Sequence, residues 1–221
     1  LRSGRFGVTE TYELLPESLW PETMHTLSHL LYRAAKTLGR MDHAVIMVDF
    51  IETKNGFMLL EMSPRAGGDC IPPLVEAATG CSTPGIAVML ASGEYRTPAA
   101  LPVRKTYFAH RLFASKRGII MSQDSTALEK TPGVHQVLIY HSTGFSTDPS
   151  ARDYNDGLLG CIICESNGTP VQEQTKKLSS LFTPDLVSFE EYIGSFVSQY
   201  LSVKDSYISA WNKNGRKPLR I

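Results

Sequence analysis

Two acids, Asp49 and Glu61, stand twelve positions apart in a stretch that is otherwise almost wholly apolar. It runs Ala44-Val45-Ile46-Met47-Val48-Asp49-Phe50-Ile51, turns at Lys54-Asn55-Gly56, and continues Phe57-Met58-Leu59-Leu60-Glu61-Met62-Ser63-Pro64-Arg65. Apolar runs flanking Asn-Gly are a strong hairpin signal. An ionised carboxylate in a buried strand costs free energy unless it is paired or holds a metal. Two of them in one hairpin ask for a cation between them, and carboxylate oxygen is the donor that hard divalent ions prefer.

The register decides whether the acids share that cation. A two-residue Asn55-Gly56 loop pairs Phe50 with Glu61 and sends Asp49 to the opposite face, because strand side chains alternate. A three-residue loop, Lys54-Asn55-Gly56, pairs Asp49 with Glu61, puts Ser63 on the same face, and sets Gly56 where a left-handed residue is needed. Facing Cβ atoms are then about 4.5–5.5 Å apart, within reach of one Mg²⁺ or two neighbouring ions. The three-residue loop is the expectation. Spacing alone leaves open a hairpin with one acid in solvent and no metal.

The end of the second strand carries a resemblance. Glu61-Met62-Ser63-Pro64-Arg65-Ala66-Gly67-Gly68 resembles the Glu-x-Asn-x-Arg strand end, trailed by glycines, that closes the nucleotide site of the ATP-grasp superfamily, and Asp49 matches the acid one strand earlier. Val8-Thr9-Glu10 and Pro16 through Leu38 look like the preceding strand and helix, and Ile71 through Gly80 like the following helix. Pro132-Gly133-Val134 and Leu158 through Ile163 resemble the closing antiparallel strands, so the likeness spans roughly residues 5–168. It implies an α/β (α+β) fold, the C-terminal lobe of an ATP-grasp module, with an antiparallel sheet packed by helices and an extra C-terminal helix.

Carried over position by position, the resemblance makes Asp49 and Glu61 ligands of Mg²⁺ (or Mn²⁺) on the ATP phosphates. Ser63 stands where the family usually has Asn, and its shorter hydroxyl shifts the metal or admits a water. Arg65 would face the transferred phosphoryl group, its planar fork suiting phosphate oxygens. Gly67 and Gly68 would let the backbone approach a phosphate or substrate. Leu60 would pack on adenine, although simple alternation points it away from Glu61. The implied reaction phosphorylates a carboxylate and lets an amine displace the phosphate, with the protein supplying position and charge. The implied partners are small-molecule carboxylate and amine substrates and the N-terminal half of the same enzyme, for the chain opens on Leu where such an enzyme is already well advanced.

Composition sets broad bounds. A chain of 221 residues can bury one good core or two small ones. Its 22 Lys and Arg balance 22 Asp and Glu, so no net field points to nucleic acid or membrane. No apolar run of transmembrane length and no cleavable leader pattern is present, which points to the cytoplasm. Four cysteines do not make a disulfide framework, and neither a Gly-x-Ser-x-Gly elbow nor a zinc-protease helix motif occurs.

The positioning elements are read from periodicity. Helical spacing runs from Trp20 to Leu38, and a second helix, capped by Thr83 with Pro84 in its first turn, runs to Gly93. Strands are expected at Tyr107–Phe113, Gly118–Met121, Val134–Tyr140 and Leu158–Cys164, with a short helix at Thr126–Lys130 capped by Asp124 or Ser125. Thr143–Asp156, rich in Ser, Asp and Gly, reads as a mobile loop over the site. The domain reading is residues 1–168 for the ATP-grasp part, 169–187 as a linker-like segment, and 188–221 as a C-terminal helix and basic tail. Ser188-Phe189-Glu190-Glu191 is a capping box opening a helix with an apolar stripe, Phe189, Ile193, Phe196, Val197, Tyr200 and Leu201. Such a stripe packs on its parent domain as a rule; the alternative is a homo-oligomer through this helix, or docking on another domain.

Several other groups invite chemistry. His25 and His29 are four apart on a helix but fall opposite its apolar stripe, so solvent is expected around them. Cys161 and Cys164 alternate faces in a strand and read as buried thiols. Cys70 reads as a bystander, Asp69 as a contact for an amine substrate, and Arg111, alone inside a strand among nearby basic residues, as a site for carboxylate binding. Three functions compete: a carboxylate–amine ligase, a scaffolding module on a decayed ATP-grasp fold, and an unrelated metal-dependent hydrolase.

Overall fold

The computed structural model describes residues 8–16, 18, 23–37, 44–94, 102–151 and 153–213. In chain order its elements begin with β1 (Thr11–Leu14), α1 (Thr23–Thr37), β2 (Met47–Thr53), β3 (Gly56–Ser63), α2 (Ile71–Thr79), α3 (Thr83–Ala91) and β4 (Tyr107–Phe113). Next come β5 (Gly118–Ser122), α4 (Thr126–Glu129), β6 (Val134–Ile139), β7 (Ser146–Thr147), β8 (Leu158–Glu165), α5 (Val171–Ser180), β9 (Asp185–Val187) and α6 (Phe189–Lys213). This is the mixed α/β architecture with antiparallel pairing that the sequence implies. The chain forms two compact units, one drawn from Leu1–Leu112, Ser125–Ile139 and Gly160–Leu181, the other from Phe113–Asp124, Tyr140–Leu159 and Phe182–Ile221.

The first unit is built on a sheet of order β1-β4-β8-β6. Its inner strand β8 reads Leu-Leu-Gly-Cys-Ile-Ile-Cys-Glu and is buried along seven of eight positions, as a near-continuous apolar run requires of a strand covered on both faces. Gly160 is obligatory there, because a Cβ would sit 2.1 Å from the Leu138 carbonyl oxygen on β6. On one face Leu74 of α2 and Cys70 just before it pack with Ala109, Cys161 and Ile163, ringed by Tyr12, Leu14, Tyr107 and Leu138. Gly80, at φ +71°, ends α2 in the left-handed conformation, its N–H donating to Glu76 O.

The other face carries α5, which corrects the reading of residues 169–187 as linker-like. Val171, Gln174, Thr175 and Leu178 recur at helical spacing and are buried. Two of the four are polar, so the apolar periodicity is too thin to show the helix. Gln174 is buried because its amide donates to Ser166 Oγ and to Thr169 O, both at 2.8–2.9 Å. Strand alternation sends His110 toward α5 while its neighbours Ala109 and Arg111 face α2. His110 lies between Thr11 Oγ1 (3.0 Å) and Ser179 Oγ (2.8 Å).

In the second unit β5 lies between β7 and β9. Thr143–Asp156, expected as a mobile loop, is folded on itself: Thr147 is fully buried and its hydroxyl donates to Asp156 O (2.8 Å), while Asp153 caps a 3₁₀ turn at Tyr154–Gly157. The capping box of α6 is present in both halves, Ser188 N–H to Glu191 Oε2 (2.8 Å) and Glu191 N–H to Ser188 Oγ (3.1 Å). The rule that its stripe packs on the parent domain fails, because Phe189, Phe196 and Tyr200 are all more than 60% exposed. Helix α3 is capped by Ser82 rather than Thr83, the Ser82 hydroxyl accepting from Gly85 N–H. Residues 20–22 and 38 of the expected first helix, and 214–221 of the basic tail, lie outside the described residues.

Burial of His110 holds its imidazole below the ordinary 6.5. A histidine kept neutral by folding contributes stability that is full above the unfolded value and is lost as pH falls through the folded one. Urea unfolding at pH 7.5 and 5.5 checks this: the wild type is expected to lose stability at the lower pH, and His110→Gln to lose less over the same interval.

Candidate functional site

The β2–β3 hairpin is a two-stranded sheet of its own, and it pairs Asp49 with Glu61. The pairing arises differently from the expected route. The loop is Lys54-Asn55, with Thr53 opposite Gly56, so the ladder leaves the turn one residue short of the required register. The turn is tied by Thr53 Oγ1, which donates to Gly56 O (2.7 Å) and accepts from Asn55 N–H (3.1 Å), and Gly56 takes φ +103°. The register then shifts between Asp49 and Phe50: Phe50 pairs Leu59, Asp49 pairs Glu61, and Leu60 is left without an opposite residue. That β-bulge restores the acid pair and re-aims Leu60, which is 62% exposed. Beyond it the ladder is regular, Met47 opposite Ser63, so Asp49, Glu61 and Ser63 share one face.

The premise that these strands are buried is corrected. Asp49 and Glu61 are both exposed, as are Ile51, Met58 and Leu59. The acids therefore stand together in contact with water. The donors on that face, two carboxylates and a hydroxyl, are all hard oxygen, and this chemistry fits Mg²⁺ or Mn²⁺.

Past Ser63 the chain turns, Arg65 N–H donating to Ser63 O (2.9 Å). Arg65 is exposed and its Nη1 donates to Ala66 O (3.1 Å). A Cβ on Gly68 would lie 3.9 Å from that same Nη1, so the glycine leaves the guanidinium uncovered on this side. Gly67 is closely packed: a Cβ there would meet Ile71 Cγ2 at 3.0 Å, and the isoleucine side chain would have to give way.

Asp69 and Arg111, each read separately as a substrate contact, are bound to one another. Arg111, from β4, is 8% exposed. It also donates to Thr9 O (2.8 Å) and lies over the Tyr12 ring at 5.1 Å. Burial works against its charge, but Asp69 and Tyr12 outweigh it and hold its pKa above the ordinary range. Asp69 adopts φ +55°, a left-handed conformation that Asp tolerates better than most side chains. The pair thus pins the end of the Gly67-Gly68 loop to the sheet. Sequence could not show this, because the partners lie 42 positions apart.

The other candidates resolve into structure. The Asp69, Cys70 and Cys161 ligand atoms lie within 4.8 Å of one another. A hydrogen bond with Cys161, and burial, push the Cys70 thiol far up, so it stays protonated and belongs to the core. Burial likewise pushes Cys164 up to about 11. His29 is exposed, and the side chain of His25 lies outside the described residues. A separate cleft of about 640 Å³ opens between β1 and α5, lined by Glu10, Glu13, His110 and Lys176 among others, and holds none of the expected site residues.

No protein family and no curated protein is matched by the sequence. Solved structures do match. The chain superposes on an L-amino acid ligase from Bacillus licheniformis with TM-score 0.67 and 18% identity, over 85% of this chain and 46% of that one. Phosphoribosylglycinamide synthetase from Anaerococcus prevotii gives 0.64 and 18%, over 84% and 47%. The biotin carboxylase domain of Hydrogenobacter thermophilus 2-oxoglutarate carboxylase, in complex with MgADP, ADP and bicarbonate, gives 0.60 and 18%, over 81% and 40%. The chain therefore shares the fold of the matching part of these structures, and it spans less than half the length of each of the three. Among the described residues no single helix is long and apolar enough to cross a membrane.

Removing one partner from a buried ion pair leaves the other charge uncompensated. Asp69→Asn, which keeps the shape and tolerates the left-handed backbone, is expected to cost about 3 kcal/mol by urea unfolding, and Asp69→Asn with Arg111→Met distinctly less. A single-mutant loss under about 0.5 kcal/mol would mark the pair as screened by solvent.

Proposed function

We propose that this chain is the C-terminal catalytic portion of an ATP-dependent carboxylate–amine ligase. The observation that carries the reading is the pairing of Asp49 with Glu61 across a bulged ladder, with Ser63 on the same face and an exposed arginine two residues on. Asp49, Glu61 and Ser63 would hold Mg²⁺ (or Mn²⁺), with water completing the shell where the serine hydroxyl is too short. Bound there, the ion would neutralise charge on the ATP phosphates.

The remaining groups act by position. Arg65 would place two N–H donors on the transferred phosphoryl group, and Gly68 leaves its guanidinium accessible. Leu60, re-aimed by the bulge, would offer an apolar surface to the adenine ring. The Asp69–Arg111 pair keeps the Gly67-Gly68 loop in place while substrate charge changes. A carboxylate oxygen of one substrate attacks the γ-phosphorus of ATP, releasing ADP and giving an acyl phosphate. An amine then attacks that carbonyl, and inorganic phosphate leaves. The other half of the ATP-grasp module, and a cytoplasmic setting, belong to this proposal. Ser63 in place of Asn favours a second reading, a scaffolding module that has lost turnover.

The test uses a polypeptide carrying both halves, Mg-ATP and a panel of amino acids and dipeptides, with ADP and phosphate release as the readout. Turnover with one carboxylate–amine combination is expected, and Glu61→Gln should lower it by roughly 10²-fold or more without loss of folding. Turnover unchanged in Glu61→Gln contradicts the metal assignment, and no ADP release with any substrate favours the scaffold.

A further inference from the structure

Helix α6 is 25 residues long, and its apolar side faces water. Phe189, Ile193, Phe196, Val197, Tyr200 and Val203 are between 44% and 69% exposed. Together they leave on the order of 800 Å² in solvent, about what one partner of a standard-size dimer covers. The helix is anchored to its own unit along a different side. Tyr192 and Ser195 are only partly exposed, and Tyr192 Oη lies where a Cβ on Gly144 would meet it at 3.0 Å.

The spacing names the partner. Phe189, Ile193, Phe196, Tyr200 and Val203 succeed one another at alternating intervals of four and three, the seam of a two-stranded coiled coil. Beside that seam, on the flank away from Tyr192, stand Glu190, Val197 and Lys204, seven apart and all exposed. When two such helices pack antiparallel, equal flanks meet. Glu190 of one copy then faces Lys204 of the other, Val197 meets itself on the two-fold axis, and both charge pairs form at once. Parallel packing would set this flank against the one with Tyr192 and Gln199 and pair neither charge. Glu190, Glu191 and Asp205 set acidic charge beside the stripe, whereas Lys213, Arg216, Lys217 and Arg220 lie at or beyond the end of the helix in sequence, so an anionic lipid surface is the competing occupant that the test separates.

We propose that α6 is a homodimerisation element, which packs antiparallel against α6 of a second copy of this chain about a two-fold axis at Val197. The interface is isologous, so it closes after two copies. It stands on the helix alone and does not depend on the ligase reading, whose failure would leave it intact.

Sedimentation equilibrium of the 221-residue chain, from low to high micromolar, tests it. A monomer–dimer equilibrium is expected, with Phe196→Glu monomeric and unchanged in far-UV circular dichroism. Lys204→Glu should raise the dissociation constant about tenfold, and adding Glu190→Lys should restore it. Val197→Cys should form a disulfide-linked dimer under mild oxidation, a readout that does not require a destabilising change. A wild type that stays monomeric throughout, or a dimer indifferent to Phe196→Glu, overturns the proposal. So does a monomer whose α6 instead binds phosphatidylcholine–phosphatidylserine vesicles. Failure of the charge swap to restore affinity overturns the antiparallel register.

Discussion

A single uncompensated residue in one strand governs the candidate site. The Lys54-Asn55 turn sets a ladder that, continued without interruption, would put Asp49 opposite Leu60 and Glu61 opposite Val48. Because side chains alternate, a one-residue slip places the acids on opposite faces, where no common ion could reach both. The bulge at Leu60 absorbs the slip. Everything downstream inherits the corrected register: Ser63 joins the acid face, the chain turns at Pro64, and Arg65 emerges close behind. A bulge disrupts the ladder locally, and bulges occur next to functional sites because they re-aim side chains. Here the disruption aligns two carboxylates and releases an apolar side chain beside them.

The sheet behind the hairpin contributes rigidity of a different kind. Alternation along β4 divides consecutive residues between two environments, His110 going to α5 and Arg111 to the start of α2. Arg111 is the deeper constraint. It ties Asp69 to the backbone of Thr9 and so connects the loop after the hairpin to the chain ahead of β1. Since Asp69 immediately precedes the Cys70–Leu74 core of the helix, the glycine pair is held at both ends, by the hairpin register on one side and by a buried ion pair on the other.

Much of this is legible in the residues. Strands β4 and β8 can be read from apolar runs, the hairpin from Asn55-Gly56, and the start of α6 from Ser188 and Glu191, because each signal is local. The pairing of Asp49 with Glu61 is legible too, but through the wrong turn: no local signal marks a bulge inside Leu59-Leu60. Burial is misjudged for the hairpin and for the α6 stripe, since apolar sequence says a surface would benefit from cover and not whether this chain supplies it. Helix α5 escapes a reading by periodicity because its inward side holds two polar groups, Gln174, satisfied by the Ser166–Thr169 turn ahead of the helix, and Thr175, whose hydroxyl donates to Gln172 O within the helix. The Asp69–Arg111 pair reads as two separate substrate contacts for the same reason.

The proposed function depends on a divalent ion held between Asp49 and Glu61 on the bulged hairpin. Paramagnetic broadening of amide signals by Mn²⁺, measured on the ¹⁵N-labelled chain, reads this directly and needs neither substrate nor turnover. Signals of Val48 to Phe50 and Leu60 to Ser63 are expected to broaden first, and replacement of both acids by their amides is expected to abolish the effect. Broadening centred on other residues, or unchanged in the doubly substituted chain, would contradict the shared ion.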